Sequence, residues 1–223
     1  MPTAQDHNEE TMRQLVLALL DGDQARASDA ALVLHKAGVD NGRIIADGIE
    51  AAMAHLDAKC TLQQFNLLEI MLAGRSVTAV MKVLFPSEAP VAATPRGTVV
   101  LATLEGDVHD LGKNILRMIL TVEGYRVVDC GKDCRLDRVI DTIREENAFA
   151  VGISGLISPV VPQVRRLREI LNNLDLPGVP VLAGGAALKQ MSTASLNVDY
   201  VAQTAFDGLH YLQEMADLNP GQR

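Results

Sequence analysis

The sequence predicts an α/β protein in two parts, a small helical bundle followed by a five-stranded parallel sheet. Three observations predict it. Residues 1–85 place apolar side chains at helical spacing and show almost nothing at strand spacing. Residues 86–96 carry three prolines and no period, as a linker does. From Gly97 onward short apolar runs alternate with amphipathic ones, which is how successive parallel strands and their crossover helices read.

In the first part, Met12, Leu15, Val16, Leu19 and Leu20 share a helical face, and Asp21-Gly22-Asp23 ends that helix. A second helix turns Ala27, Ala30, Ala31 and Leu34 inward and stops near Gly38. Asp40 or Asn41 caps a third, which carries Ile44, Ile45, Ile49, Met53 and Leu56. Thr61 is expected to cap a fourth and longest helix, Leu62 to Leu84. Four helices with short connections predict a four-helix bundle over 1–85. The 11 linker residues, fully stretched, reach ~36 Å at about 3.3 Å each. The bundle is thus free to sit on the second domain or swing away from it.

In the second part, 97–223, strands are expected at Thr98–Leu104, Tyr125–Asp129, Ala150–Ser154, Pro180–Ala183 and Val198–Val201. Helices are expected at Leu111–Glu123, Leu136–Asn147, Val160–Leu174, Ala187–Ser192 and Ala205–Ala216. Five such units predict a doubly wound, Rossmann-like sheet in the flavodoxin-like order.

Composition narrows the function. Of 223 residues 48% are hydrophobic and only 3% aromatic, with no Trp, so the core is built from Leu, Val, Ile, Ala and Met. A net charge of −8 is wrong for a nucleic-acid binder, which shows a basic face. Three cysteines, Cys60, Cys130 and Cys134, suit a reducing cytoplasm better than a disulfide framework. The polar start MPTAQDHNEE is no signal peptide, and no apolar stretch approaches the ~20 residues of a membrane span.

The chemistry concentrates in Glu105-Gly106-Asp107-Val108-His109-Asp110-Leu111-Gly112-Lys113-Asn114, between the first strand and its helix. Such loops lie at the carboxyl edge of a parallel sheet, where ligands bind. A neutral imidazole ligates transition metals well, and a ligating His commonly donates its other ring N–H to a carboxylate. Asp107 is placed for that, and Gly112 leaves room for something bulky against the backbone. Equally, Asp110 can cap the helix while His109 stays a solvated loop residue. The third strand ends Ser154-Gly155-Leu156-Ile157-Ser158-Pro159, either two hydroxyls at the same edge or a plain turn with Pro159 opening a helix. The fourth ends Ala183-Gly184-Gly185-Ala186, either a close approach for a ligand or an ordinary left-handed turn.

Taken together, Asp107-Val108-His109-Asp110-Leu111-Gly112, then Ser154-Gly155-Leu156, then Gly184-Gly185 resemble the D-x-H-x-x-G, S-x-L and G-G hallmarks of the cobalamin-binding domain of corrinoid-dependent methyltransferases. That family includes cobalamin-dependent methionine synthase and the small corrinoid proteins of methanol, methylamine and aryl-ether demethylation. The Gly112-Lys113-Asn114 continuation resembles the methyltransferase branch rather than the mutases. The resemblance implies cobalamin bound base-off, as methylcobalamin or cob(I)alamin, with His109 as lower cobalt ligand and Asp107 on its other ring nitrogen. It implies cofactor contacts from Gly106, Val108, Asp110 and Gly112, and a nucleotide tail threaded past Ser154, Leu156, Ser158, Gly184 and Gly185 to Ala205. The bundle would cover the upper corrin face with Leu67 or Phe65.

By the same resemblance the chain is a methyl carrier, not an enzyme on its own. It would serve a donor-specific methyltransferase and a methyl-accepting, tetrahydrofolate-linked one, with a reductive activase as a further partner. Two departures stand out. The relay serine of methionine synthase falls here on Val160, so Asp107 is expected to end elsewhere, on water. Asp129-Cys130-Gly131-Lys132-Asp133-Cys134 replaces an apolar segment, and two thiols without further ligands make a poor zinc site, so inert thiols are expected. The competing readings are a cobalamin-dependent sensor or regulator, and a flavodoxin-like protein without corrin. The sensor class carries a Trp motif and a DNA-binding segment, and this chain has no Trp.

Overall fold

The computed structural model describes residues 4–61, 67–86, 95–174, 176 and 178–218, with residues 57–61 and 67 described in their main chain alone. The chain forms two compact units, Met1–Glu88 and Ala89–Arg223.

The first unit is helical. Helix α1 (Ala4–Leu20) packs on α2 (Gln24–Lys36); α1 buries Leu15, Ala18 and Leu19, and α2 buries Ala27, Ala30, Ala31 and Leu34. Asp23 starts α2 by accepting the Arg26 N–H at 3.0 Å, and Gly38 at φ +79° follows its end. Of the two candidate caps for the next helix the structure selects Asp40, whose carboxylate accepts the Arg43 N–H at 3.1 Å. Asn41 instead donates to the Leu84 carbonyl at 3.2 Å.

That next helix runs as α3 (Asn41–Ile44), a π-helical turn (Ile45–Glu50) and α4 (Ala51–Thr61). The extra residue of the π turn shifts the helical phase. Ile44, Ile45 and Ile49 are buried as the spacing predicts, but beyond the turn Ala52 and Leu56 face inward and Met53 only half does. Gly48 sits in that turn because a Cβ there would meet Leu15 Cδ2 at 2.7 Å. Thr61 lies within the main chain of α4, not before a helix, and the described part of the last helix is α5 (Leu67–Leu84). Its expected start at Leu62 falls in residues 62–66, which lie outside the described residues.

The second unit is a parallel sheet of β1 (Thr98–Thr103), β2 (Arg126–Asp129), β3 (Ala150–Ser154), β4 (Val181–Gly184) and β5 (Tyr200–Val201), in the order β2-β1-β3-β4-β5. This is the flavodoxin-like order. Val99 to Thr103 are buried on both faces, as a central strand requires. Helices α7 (Leu136–Glu145) and α8 (Val161–Asn173) pack on the face of Val100, Ala102 and Leu104. Helix α6 (Leu111–Val122) packs against α10 (Ala205–Leu218).

The fourth crossover departs from expectation. Residues 186–190 form turns, not a helix, with the Leu188 and Lys189 N–H groups both on the Gly185 carbonyl. The helix of this crossover is the single turn α9 (Thr193–Leu196), capped by Ser192 and stopped by Asn197 in the left-handed region at φ 57°. Leu188 is fully buried and pins the turn to the core. Pro159 opens a 3₁₀ turn, Ser158–Val160, before α8 begins. No helix among the described residues is long and apolar enough to cross a membrane.

Candidate functional site

The loops after β1, β3 and β4 end at one sheet edge, and a single side chain joins the first two. Asp107 follows β1 and is fully buried. Its Oδ1 accepts the His109 N–H at 2.9 Å and faces His109 Nδ1 at 2.7 Å. Its Oδ2 accepts the N–H groups of Leu156 at 2.7 Å and Ile157 at 3.4 Å, both in the loop after β3. Burial pushes the Asp107 carboxyl up, but the hydrogen bonds from His109, Leu156 and Ile157 outweigh it and hold the group below its ordinary value. It is therefore ionised at neutral pH.

An ionised carboxylate only accepts hydrogen bonds, so the proton of the His109 ring sits on Nδ1. In the neutral ring Nε2 then keeps its lone pair, on a side chain that is 52% exposed. This is the form in which imidazole binds a transition metal. Asp107 thus ends on the main-chain amides of Leu156 and Ile157. Val160, at the relay position, is buried beneath Gly155, where a Cβ would meet its Cγ2 at 2.6 Å.

The surroundings are open. Gly106, at φ +91°, turns the chain toward Asp107. Val108 is exposed, and Asp110 precedes α6 without making a side-chain cap. A Cβ on exposed Gly112 would lie 4.0 Å from Ser154 Oγ, so the missing side chain leaves the Ser154 hydroxyl reachable at the top of β3. Leu156 and Ser158 are exposed. Gly184 ends β4, and Gly185, at φ +95°, lies so close to the Gly155 carbonyl that a Cβ would come within 2.5 Å of its oxygen. Ala205 is the first residue of α10 and half-buried. Leu67 and Phe65 belong to the first unit; Leu67 opens α5, and Phe65 lies outside the described residues.

Two contacts near the site are not specified by residue type or spacing. Lys113, in the first turn of α6, is buried and ion-paired to Asp129 at the end of β2, at 2.5 and 2.6 Å. Asp133 accepts the Gly106 N–H at 2.7 Å and donates its own N–H to the Asp107 carbonyl at 2.9 Å. Cys130 and Cys134 are free thiols, and no cluster of three or more His, Cys, Asp or Glu that could hold a metal occurs among the described residues. One imidazole on a half-exposed side chain, beside glycines that leave backbone uncovered, does not make a metal site alone. It does fit a metal that arrives inside a macrocycle supplying the remaining ligands.

Known proteins agree. The B12 binding domain family matches residues 97–209. Dimethylamine corrinoid protein 2 of Methanosarcina mazei is 30% identical over 210 residues, covering 92% of this chain and 98% of that one. Trimethylamine corrinoid protein 2 of Methanosarcina acetivorans is 26% identical over 208 residues, covering 92% and 96%. The solved structure of the Methanosarcina barkeri monomethylamine corrinoid protein shares the fold, with a TM-score of 0.80 at 23% identity over 93% of this chain and 99% of that one. The match of the cofactor domain, extended by relatives that run the length of both units, shows that the chain belongs to the B12 binding domain family as a corrinoid protein, with cobalamin as its cofactor.

Proposed function

We propose that the chain is the methyl-carrier subunit of a methyltransferase system, holding cobalamin base-off with His109 Nε2 as the lower cobalt ligand. The observation that carries this is the His109 ring held through Nδ1 by a buried, ionised Asp107, with Nε2 left free on a half-exposed side chain. The corrin cobalt supplies, when bound, a centre that accepts and gives up a methyl group. What the chain supplies is aim and room. Asp107 fixes the tautomer and the ring plane. In this reading Gly112 and Ser154, which lie close together, leave room for the corrin, and Gly184-Gly185 and Ala205 would take the nucleotide tail. Gly106, Val108 and Asp110 complete the His109 loop, and Leu156 and Ser158 the β3 loop, around that tail. Leu67 and Phe65 are the candidates for covering the upper face from the first unit.

The partners in this reading are a donor-specific methyltransferase and a methyl-accepting one linked to tetrahydrofolate. Relatives named for dimethylamine and trimethylamine support a methylated amine as donor.

The test is ligand-specific. Protein reconstituted with cob(II)alamin should show nitrogen hyperfine splitting that changes when its histidines carry ¹⁵N. His109→Ala should keep its fold by circular dichroism and lose that splitting. A variant that retains it refutes the ligand assignment. Methyl transfer with a panel of methylamine, methanol and methoxyarene methyltransferases then assigns the donor, and transfer confined to a non-amine partner overturns the amine reading.

A further inference from the structure

Lys113 stands four residues after His109, with its side chain 2% exposed. A buried ammonium is costly unless paired, and a buried pair is a weak source of stability, since apolar residues of similar volume commonly do as well. Its presence asks for a directional role.

The hydrogen bonds give one. Lys113 Nζ donates to both oxygens of Asp129, and Arg117 Nε approaches the same carboxylate at 3.9 Å. Asp129 Oδ1 also accepts the Gly131 N–H at 2.8 Å. The Gly131 carbonyl accepts the Thr103 N–H at 3.0 Å. The buried Thr103 hydroxyl donates to the His109 carbonyl at 3.4 Å. The path leaves α6 at Lys113 and returns to the chain at His109, closing a ring through the ends of β2 and β1.

A second strand of the same loop reinforces it. Asp133 grips Gly106 and the Asp107 carbonyl, and the Cys134 N–H donates to the Thr103 carbonyl at 2.9 Å. The segment 129–134 therefore braces the main chain of Gly106, Asp107 and, through Thr103, His109. An apolar pair at 113 and 129 could fill the space but could not orient the Gly131 N–H.

We propose that Lys113 and Asp129 form a positioning pair that fixes the main chain of the His109 loop and so the aim of Nε2. This rests on the reading of His109 as cobalt ligand. The pair acts through other groups, so its test must separate aim from stability. Lys113→Met alone leaves the partly buried Asp129 carboxylate without its nearest cation and lowers stability; the double variant Lys113→Met with Asp129→Leu removes both charges and should recover it.

Two readouts apply to the double variant below its melting temperature. In apoprotein, ¹⁵N NMR should show the wild-type His109 ring as the Nδ1–H tautomer and the double variant as a mixture. In reconstituted protein, hydroxocobalamin affinity should fall by about 10-fold, as when the outer partner of a metal ligand is lost. A double variant with wild-type tautomer and wild-type affinity overturns the proposal. If wild type shows no histidine ligation at all, the reading of His109 falls instead, while the apoprotein tautomer still decides the pair.

Discussion

The main-chain N–H of Leu156 donates to Oδ2 of Asp107 at 2.7 Å, across 49 residues of chain. One carboxylate thus joins the loop after β1 to the loop after β3, and the same carboxylate aims His109. The direction of the His109 ring is thus set by a loop that contributes no side chain to it.

Asp107→Asn should be costly although it is nearly isosteric. Both carboxylate oxygens accept from N–H groups, and the amide must turn its own NH₂ toward one set of donors. A buried donor left unsatisfied costs about 1–3 kcal/mol. Urea denaturation of the apoprotein should show a loss of that size, and ¹⁵N NMR should show His109 losing its single tautomer. Wild-type stability in the variant would contradict the geometry.

Acid should act through the same group. The folded-state pKa of Asp107 is lowered from 3.8, so the carboxylate's contribution is full above that pH. It is lost as pH falls through the lower folded value, because the unfolded chain then takes up the proton more readily. The stability difference between wild type and Asp107→Asn should therefore be constant near neutrality and shrink below about pH 4. A difference that grows on acidification would reverse the sign and exclude the assignment.

The two glycines after β4 should respond differently. Gly185 adopts φ +95° against the Gly155 carbonyl, so Gly185→Ala should destabilise the apoprotein by about 1–3 kcal/mol. At Gly184 a Cβ would come no nearer than 3.7 Å to the Ala202 carbonyl, so Gly184→Ala should leave the apoprotein melting temperature unchanged. If the nucleotide tail lies along this edge, Gly184→Ala should still weaken cobalamin binding, measured by titration of hydroxocobalamin. Unchanged binding would move the tail elsewhere.

Cys134 should be inert while the protein is folded. Burial first, then the neighbouring Cys130, pushes its thiol from 9.0 up to about 11. Thiolate is the reactive form. In a Cys60→Ser variant at pH 8, iodoacetamide followed by peptide mass spectrometry should leave Cys134 unlabelled until urea is added. A raised pKa also means that its contribution to stability is present below pH 9 and lost as pH rises through 11. Rapid labelling of folded protein would show that the thiol is not held as the structure places it.

Much of this protein is legible in its sequence because periodicity is local. The alternation after Gly97 specifies parallel strands, and their carboxyl-end loops contain Asp107, His109, Ser154, Gly184 and Gly185 wherever the helices lie. The structure departs from that periodicity where one residue shifts a phase or a turn replaces a helix. The π-helical turn at Ile45–Glu50 moved burial from Met53 to Ala52, and the Gly185 turn displaced a helix to Thr193–Leu196. Such choices depend on packing partners, Leu15 against Gly48 and Leu188 in the core, that neighbours in sequence do not specify.

By itself the sequence determined the order of the sheet, the loop that carries the histidine, and a resemblance specific enough to name the cofactor. Only the tertiary structure decided what holds that histidine. Asp107 ends on the amides of Leu156 and Ile157, and amides are common to every residue but proline, so no letter marks them. Likewise, nothing local pairs Lys113 with Asp129. Their contact exists because β2 lies beside β1 and α6 returns over that edge, a proximity created by the fold.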